Sequence, residues 1–134
     1  MAGGTGLIGQ RLIAELLRQG VAVTVLTRDP AGAKVPEGVT FRTYENLPAA
    51  LEGADAVFNL AGASIAGKRW TEPYKRTLVE SRTGTTARLV EAMGRCVAKP
   101  EVLVNASAIG WYGPRGAERI DESASAGSSF LARL

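Results

Sequence analysis

Gly3, Gly6 and Gly9 recur at every third position in the opening stretch Gly3-Gly4-Thr5-Gly6-Leu7-Ile8-Gly9. An amphipathic segment follows at once. It carries Leu12, Ile13, Leu16 and Leu17 on one side, Gln10, Arg11, Glu15, Arg18 and Gln19 on the other, and stops at Gly20. Glycines so placed let the chain turn tightly, let backbone N–H groups approach a ligand, and let the new helix pack close to a sheet. A pyrophosphate needs all three, because it sits on the unpaired N–H groups at a helix N-terminus. The alternative is a structural turn with no ligand. Context argues against it: Val21-Ala22-Val23-Thr24-Val25-Leu26 is short, apolar and β-branched, as a buried parallel strand should be. Turn, helix and strand fall within one βαβ unit.

Thr27-Arg28 comes directly after that strand. A dinucleotide site uses an acidic residue here to grip ribose hydroxyls, or an arginine to pair with a 2′-phosphate. Arg28 thus favours NADP, while Asp29 keeps NAD possible. The alternative is a solvated loop arginine beside Asp29.

Composition narrows the rest. The chain has 134 residues, enough for one domain, with 46% hydrophobic and 22% charged residues. It has no histidine and one cysteine, Cys96, which excludes histidine-based triads, thiolate cages and an internal disulfide; no metal site is expected. The net charge of +3 is spread along the chain rather than gathered with aromatics, so no nucleic-acid partner is expected. No apolar run approaches the roughly 20 residues of a membrane span, and no secretory signal is visible. A cytoplasmic protein with a small-molecule substrate is expected; its oligomeric state is not legible.

The remaining elements read in order. Residues 29–38 form a loop, Val39–Tyr44 a strand, Leu47–Leu51 a short helix behind Pro48, and Asp55–Gly62 a buried strand ending in small residues. A long helix runs from Pro73 to about Arg95 with the apolar stripe Tyr74, Leu78, Val79, Leu89, Val90 and Met93. Gly84 within it marks a close approach, a bend or a tolerated blemish. Val102–Ser107 is a further strand, and Ser129 caps a helix that opens at Phe130. The fold class is α/β, a Rossmann-like doubly wound parallel sheet in order 3-2-1-4-5. Only Met1 and Ala2 precede the glycine loop, so the central strand is largely missing and a gap in mid-sheet is expected.

Four motifs stand in sequence: Gly-Gly-Thr-Gly-Leu-Ile-Gly at 3–9, Asn-Leu-Ala-Gly at 59–62, Ser81-Arg82-Thr83-Gly84-Thr85, and Asn105-Ala106-Ser107 followed by Trp111-Tyr112-Gly113. Together they resemble the extended short-chain dehydrogenase/reductase superfamily of the NAD-dependent epimerase/dehydratase type. The likeness is nearest to its atypical epimerase-like subgroup and covers nearly the whole chain. It implies an NAD(P)-binding Rossmann domain over residues 1–134. Gly3, Thr5, Gly6, Leu7, Ile8 and Gly9 would hold the pyrophosphate, and Leu60, Ala61 and Gly62 would lie beside the bridge to the nicotinamide. Arg28 would face the adenosine ribose, and Ser107 would match the active-site serine. It also implies a chain cut at both ends, with the substrate-binding C-terminal portion absent and the fragment itself inactive.

The chain departs from that pattern where chemistry is done. The family's Tyr-x-x-x-Lys pair falls on Phe130 and Leu134, which have neither hydroxyl nor charge. Tyr112, five residues past Ser107, is the best-placed phenol to serve instead, with Lys68, Arg69 or the cofactor's nicotinamide ring as a cation to lower its pKa. The alternative is that Trp111 and Tyr112 wall the pocket. Ser107 is expected to hydrogen-bond a ligand rather than attack it, since no base accompanies it. Lys68-Arg69-Trp70 is either a substrate-facing cluster or a solvated loop, Cys96 a packed thiol, and Glu118, Asp121 and Glu122 a solvated acidic loop. Two readings follow: an NADP-dependent oxidoreductase or epimerase, or a non-catalytic NADP-binding module.

Overall fold

The computed structural model describes residues 1–33 and 36–134; Lys34 and Val35 of the expected 29–38 loop lie outside the described residues. Helix α1 spans Leu7–Arg18 and buries Ile13 against the sheet. It ends in a Schellman-type cap: Gly20 has φ +75°, its N–H donates to the Leu17 carbonyl at 2.9 Å, and Val21 N–H donates to that of Leu16 at 3.0 Å. This cap uses the backbone of Val21, so strand β1 is Val23–Leu26 rather than starting at Val21. Strand β2 is Val39–Arg42, shorter than the expected run to Tyr44, and helix α2 is Leu47–Leu51, capped by the Asn46 side chain. Strand β3 is Ala56–Asn59, helix α3 is Glu72–Arg95, and strand β4 is Val102–Asn105. A 3₁₀ turn at Ile109–Tyr112 and helix α4 at Phe130–Arg133 complete the chain.

β1 pairs parallel with β2, and β3 pairs parallel with β4. The expected gap between the pairs is closed at its carboxyl end by Met1 and Ala2. Ala2 bridges to both Leu26 and Asn59. Leu26 N–H donates to the Met1 carbonyl at 2.8 Å, Ala2 N–H to that of Phe58 at 2.8 Å, and Leu60 N–H to that of Ala2 at 3.0 Å. Two extended residues suffice because the glycine turn leaves the sheet where β1 and β3 also end. The spatial order is therefore β2, β1, Met1–Ala2, β3, β4: an α/β Rossmann-type arrangement whose central strand is reduced to a stub.

Two cores flank this sheet. Met1, Ile13, Val23 and Val25 pack with Leu12, Leu16, Leu17, Val39, Phe41, Phe58 and Leu60 on the α1 side. Ala2, Leu26, Leu47, Leu51, Val57, Leu89, Ala92 and Cys96 form the other, beneath α2 and α3. The buried stripe of α3 differs from the expected one. Val79 and Val90 are exposed, and the buried positions are Leu78, Leu89 and Ala92. Between Leu78 and Leu89 the inward face is polar, with Arg82 and Thr86 turned to the carboxyl end of the sheet.

Candidate cofactor and substrate site

The glycine loop divides its work residue by residue. A methyl group on Gly3, whose φ is +75°, would lie 2.6 Å from the Leu60 carbonyl carbon. One on Gly9 would lie 2.5 Å from the Gly3 oxygen and 2.6 Å from the Gly4 Cα. Gly3 thus makes the turn against the end of β3, and Gly9 brings α1 onto the loop. Gly6 differs: a methyl there would meet only the Gly3 oxygen, at 3.3 Å. Gly6 is exposed, stands at the N-cap of α1, and is backed by no side-chain cap or first-turn acid. The N–H groups of that first turn have no intrahelical acceptor and are free for an anion. Thr5 and the side chains of Leu7 and Ile8 are exposed on the same turn, and Gln10 Nε2 donates to the Thr5 carbonyl at 2.9 Å.

Arg28 is exposed just beyond β1 and forms no ion pair among the described residues. Asp29, its expected neighbour, accepts from Gly32 N–H at 3.0 Å instead. Beyond β2, Tyr44 is half-buried. Arg88 Nη2 donates to its carbonyl at 2.8 Å, and the guanidinium lies 5.6 Å from its ring centroid. Burial pushes the Tyr44 phenol up, opposed by the charges of Arg28 and Arg88. Two arginines therefore gather at the carboxyl ends of β1 and β2, and the second was not apparent from the sequence because Arg88 lies 60 positions further along (88 − 28).

A cavity of about 660 Å³ opens over the carboxyl ends of β3 and β4. Leu60, Ala61, Gly62, Ser107 and Trp111 line it, as do Leu131 and Leu134. Its floor is a polar network that sequence reasoning missed. Asn59, buried at the end of β3, donates through Nδ2 to Thr86 Oγ1 at 3.0 Å and to Asn105 Oδ1 at 2.7 Å. Its Oδ1 accepts from Ala61 N–H at 3.2 Å, which sets the turn that presents Gly62. The signal was present in the sequence: both strands end on asparagine, and the two are register partners.

Arg82 holds the next segment. Its Nη1 and Nη2 both donate to the Ala63 carbonyl at 3.2 Å, and Nη1 donates to that of Leu78 at 3.0 Å. The guanidinium lies across Gly62, where a methyl group would come within 3.1 Å of Cζ. Ser81 Oγ accepts from Ala63 N–H at 2.9 Å.

Ser107 and Tyr112 part company. Ser107 is exposed and lines the cavity; Tyr112 is half-buried in the 3₁₀ turn and is not among the lining residues, whereas Trp111 is. Phe130 also turns away: its ring packs edge-on against Trp70 at 5.5 Å, with Lys75 Nζ 5.6 Å from its centroid. From this end of the chain the cavity is lined instead by Leu131, Ala132, Arg133 and Leu134. Lys68 and Arg69 are exposed. Burial raises the Cys96 thiol, which donates to the Ala92 carbonyl at 3.3 Å. In the acidic loop Asp121 accepts from Ser123, and Glu118 stands 3.9 Å from Arg115. No helix of the described residues is long and apolar enough to cross a membrane.

Comparison with known proteins agrees with this geometry. The family model for the NAD dependent epimerase/dehydratase family matches residues 1–130. An epimerase family protein of Staphylococcus saprophyticus is 39% identical over 116 residues, covering 85% of this chain and 38% of that protein. One from Mycobacterium bovis is 38% identical, covering all of this chain and 44% of the relative. Among solved structures, human epimerase family protein SDR39U1 with NADPH superposes with a TM-score of 0.86 at 29% identity, over 98% of this chain and 44% of that one. MoeE5 in complex with UDP-glucose and NAD gives 0.78 at 27% identity, over 98% and 43%. The chain spans less than half the length of each. With the glycine turn, the strand order and the match along nearly the whole sequence, the chain belongs to the NAD-dependent epimerase/dehydratase family.

Proposed function

We propose that this chain is the NADP-binding domain of an oxidoreductase or epimerase acting on a small carbonyl, hydroxyl or sugar-type substrate. The carrying observation is the open face of Gly6 at the uncapped N-terminus of α1, between a Gly3 and a Gly9 that have no room for a side chain. Gly3, Thr5, Gly6, Leu7, Ile8 and Gly9 form the pyrophosphate site, where the N–H groups of the first turn of α1 donate to it while the Gly6 N–H holds the loop by its bond to the Gly3 carbonyl at 3.1 Å. Leu60, Ala61 and Gly62 carry the chain past the nicotinamide side, and Ser107 offers a hydroxyl to substrate or nicotinamide. When bound, the dinucleotide supplies hydride donation or acceptance. NADP is preferred to NAD because Arg28 has no carboxylate partner and stands with Arg88 where a 2′-phosphate needs cations. The NADPH in the human relative's structure supports this reading, against the NAD of MoeE5. The same reading carries a cytoplasmic location, with a small molecule as the partner rather than nucleic acid or membrane.

Thermal denaturation with NADPH and NADH tests it. A ligand at about 100 times its Kd stabilises by about 2.7 kcal/mol, so NADPH should raise Tm by several degrees. Arg28→Ala should weaken NADPH binding by roughly tenfold and leave NADH unchanged. No shift with either nucleotide overturns the proposal.

One observation favours a second reading, a non-catalytic NADP-binding module. Among the described residues, the cavity lining has no phenol, lysine or carboxylate side chain to move a proton. Turnover on a carbonyl or sugar-nucleotide panel, abolished by Tyr112→Phe, supports the enzyme. NADPH binding without turnover supports the module.

A further inference from the structure

We infer that Arg82 is the anion receptor of the cavity, and that the substrate carries a carboxylate or phosphate on an apolar body. This rests on the cofactor-binding reading above and names the substrate class of that same site. A guanidinium has five N–H donors. In Arg82 both Nη1 hydrogens go to the Ala63 and Leu78 carbonyls, and one Nη2 hydrogen goes to Ala63. The Nε–H and the outer Nη2–H, which lie side by side as a fork, have no acceptor among the described residues. That fork matches two oxygens of one carboxylate or phosphate. Arg82 forms no ion pair among the described residues, and its side chain is held in one place by three backbone contacts, so its charge is fixed and uncompensated.

The surroundings point the same way. The charged side chains that line the cavity are Arg82 and Arg133, with no carboxylate side chain beside them. Ile65, Ile109, Trp111 and Leu131 supply apolar and aromatic wall. Positive charge above an apolar wall suits an anionic head on a flat or branched body.

Benzoate is the probe, with benzamide as its uncharged isostere. Calorimetric titration of the wild-type chain, free and saturated with NADPH, should show benzoate bound roughly tenfold or more tightly than benzamide in both states. Arg82→Gln should abolish that preference. Arg82→Lys, which keeps the charge without the fork, should reduce it severalfold. NADPH binding, measured alongside, reports whether the cofactor site is assembled and separates failure of this inference from failure of that one. Equal binding of benzoate and benzamide by the wild type overturns the inference without any variant. So does displacement of benzoate by NADPH, which would give the fork to the cofactor's own phosphate. An undiminished preference in both Arg82 variants also overturns it.

Discussion

Gly6 and Gly9 look interchangeable in the sequence and do different things. Gly6→Ala adds a methyl that meets one oxygen at 3.3 Å, so the fold should keep its Tm within a few degrees while NADPH binding drops by at least roughly tenfold. Gly9→Ala drives a methyl into the backbone of Gly3 and Gly4, and should cost about 2 kcal/mol or more with binding lost as a consequence. Urea denaturation and NADPH titration of the pair check this; the reverse pattern would contradict the assignment.

At the scale of elements, α3 shows how a site hides in a helix. Its apolar positions at Leu78, Leu89 and Ala92 are buried, the last two in the core, but the turns between them face the cavity, so Arg82 and Thr86 replace hydrophobic residues there. That polar interruption blurs the 3.6-residue period, which is why the sequence pattern alone places Val79 and Val90 inward. Gly84 on this helix approaches no neighbouring backbone: the nearest atoms to an added methyl belong to the flexible carboxylate of Glu80. Gly84→Ala should stabilise the protein by up to about 1 kcal/mol without affecting NADPH binding. A measured loss of stability would mean that the glycine relieves a contact elsewhere. Apart from the 3₁₀ turn at Ile109–Tyr112, element type and order are legible in the sequence, because Gly20, Pro48, Pro73 and Ser129 are local signals acting on their own neighbours. Strand ends were less so. Val21 is lost to a cap, and Tyr44 to a bend where its carbonyl accepts from Arg88, through hydrogen bonds that the strand pattern does not encode.

For the whole molecule, the two strand pairs are joined through Met1 and Ala2. Ala2 is fully buried and its N–H donates to Phe58. Ala2→Pro removes that donor in mid-sheet and should cost about 3 kcal/mol or more, loosening β1–β2 from β3–β4. Hydrogen exchange should then show Leu26 and Leu60 losing protection together; unchanged protection would show that the helices alone hold the halves. The sequence by itself determined the glycine turn, the helix that follows it, the alternation of strands with helices and the family, since each rests on short local motifs and their order along the chain. Tertiary structure decided what depends on distant residues meeting. It closed the mid-sheet gap, brought Arg88 near Arg28, linked Asn59 to Thr86 and Asn105, laid Arg82 over Gly62, and turned Phe130 onto Trp70 and away from the cavity. Spacing along a chain reports which face a residue takes, whereas only packing sets which other face it finds.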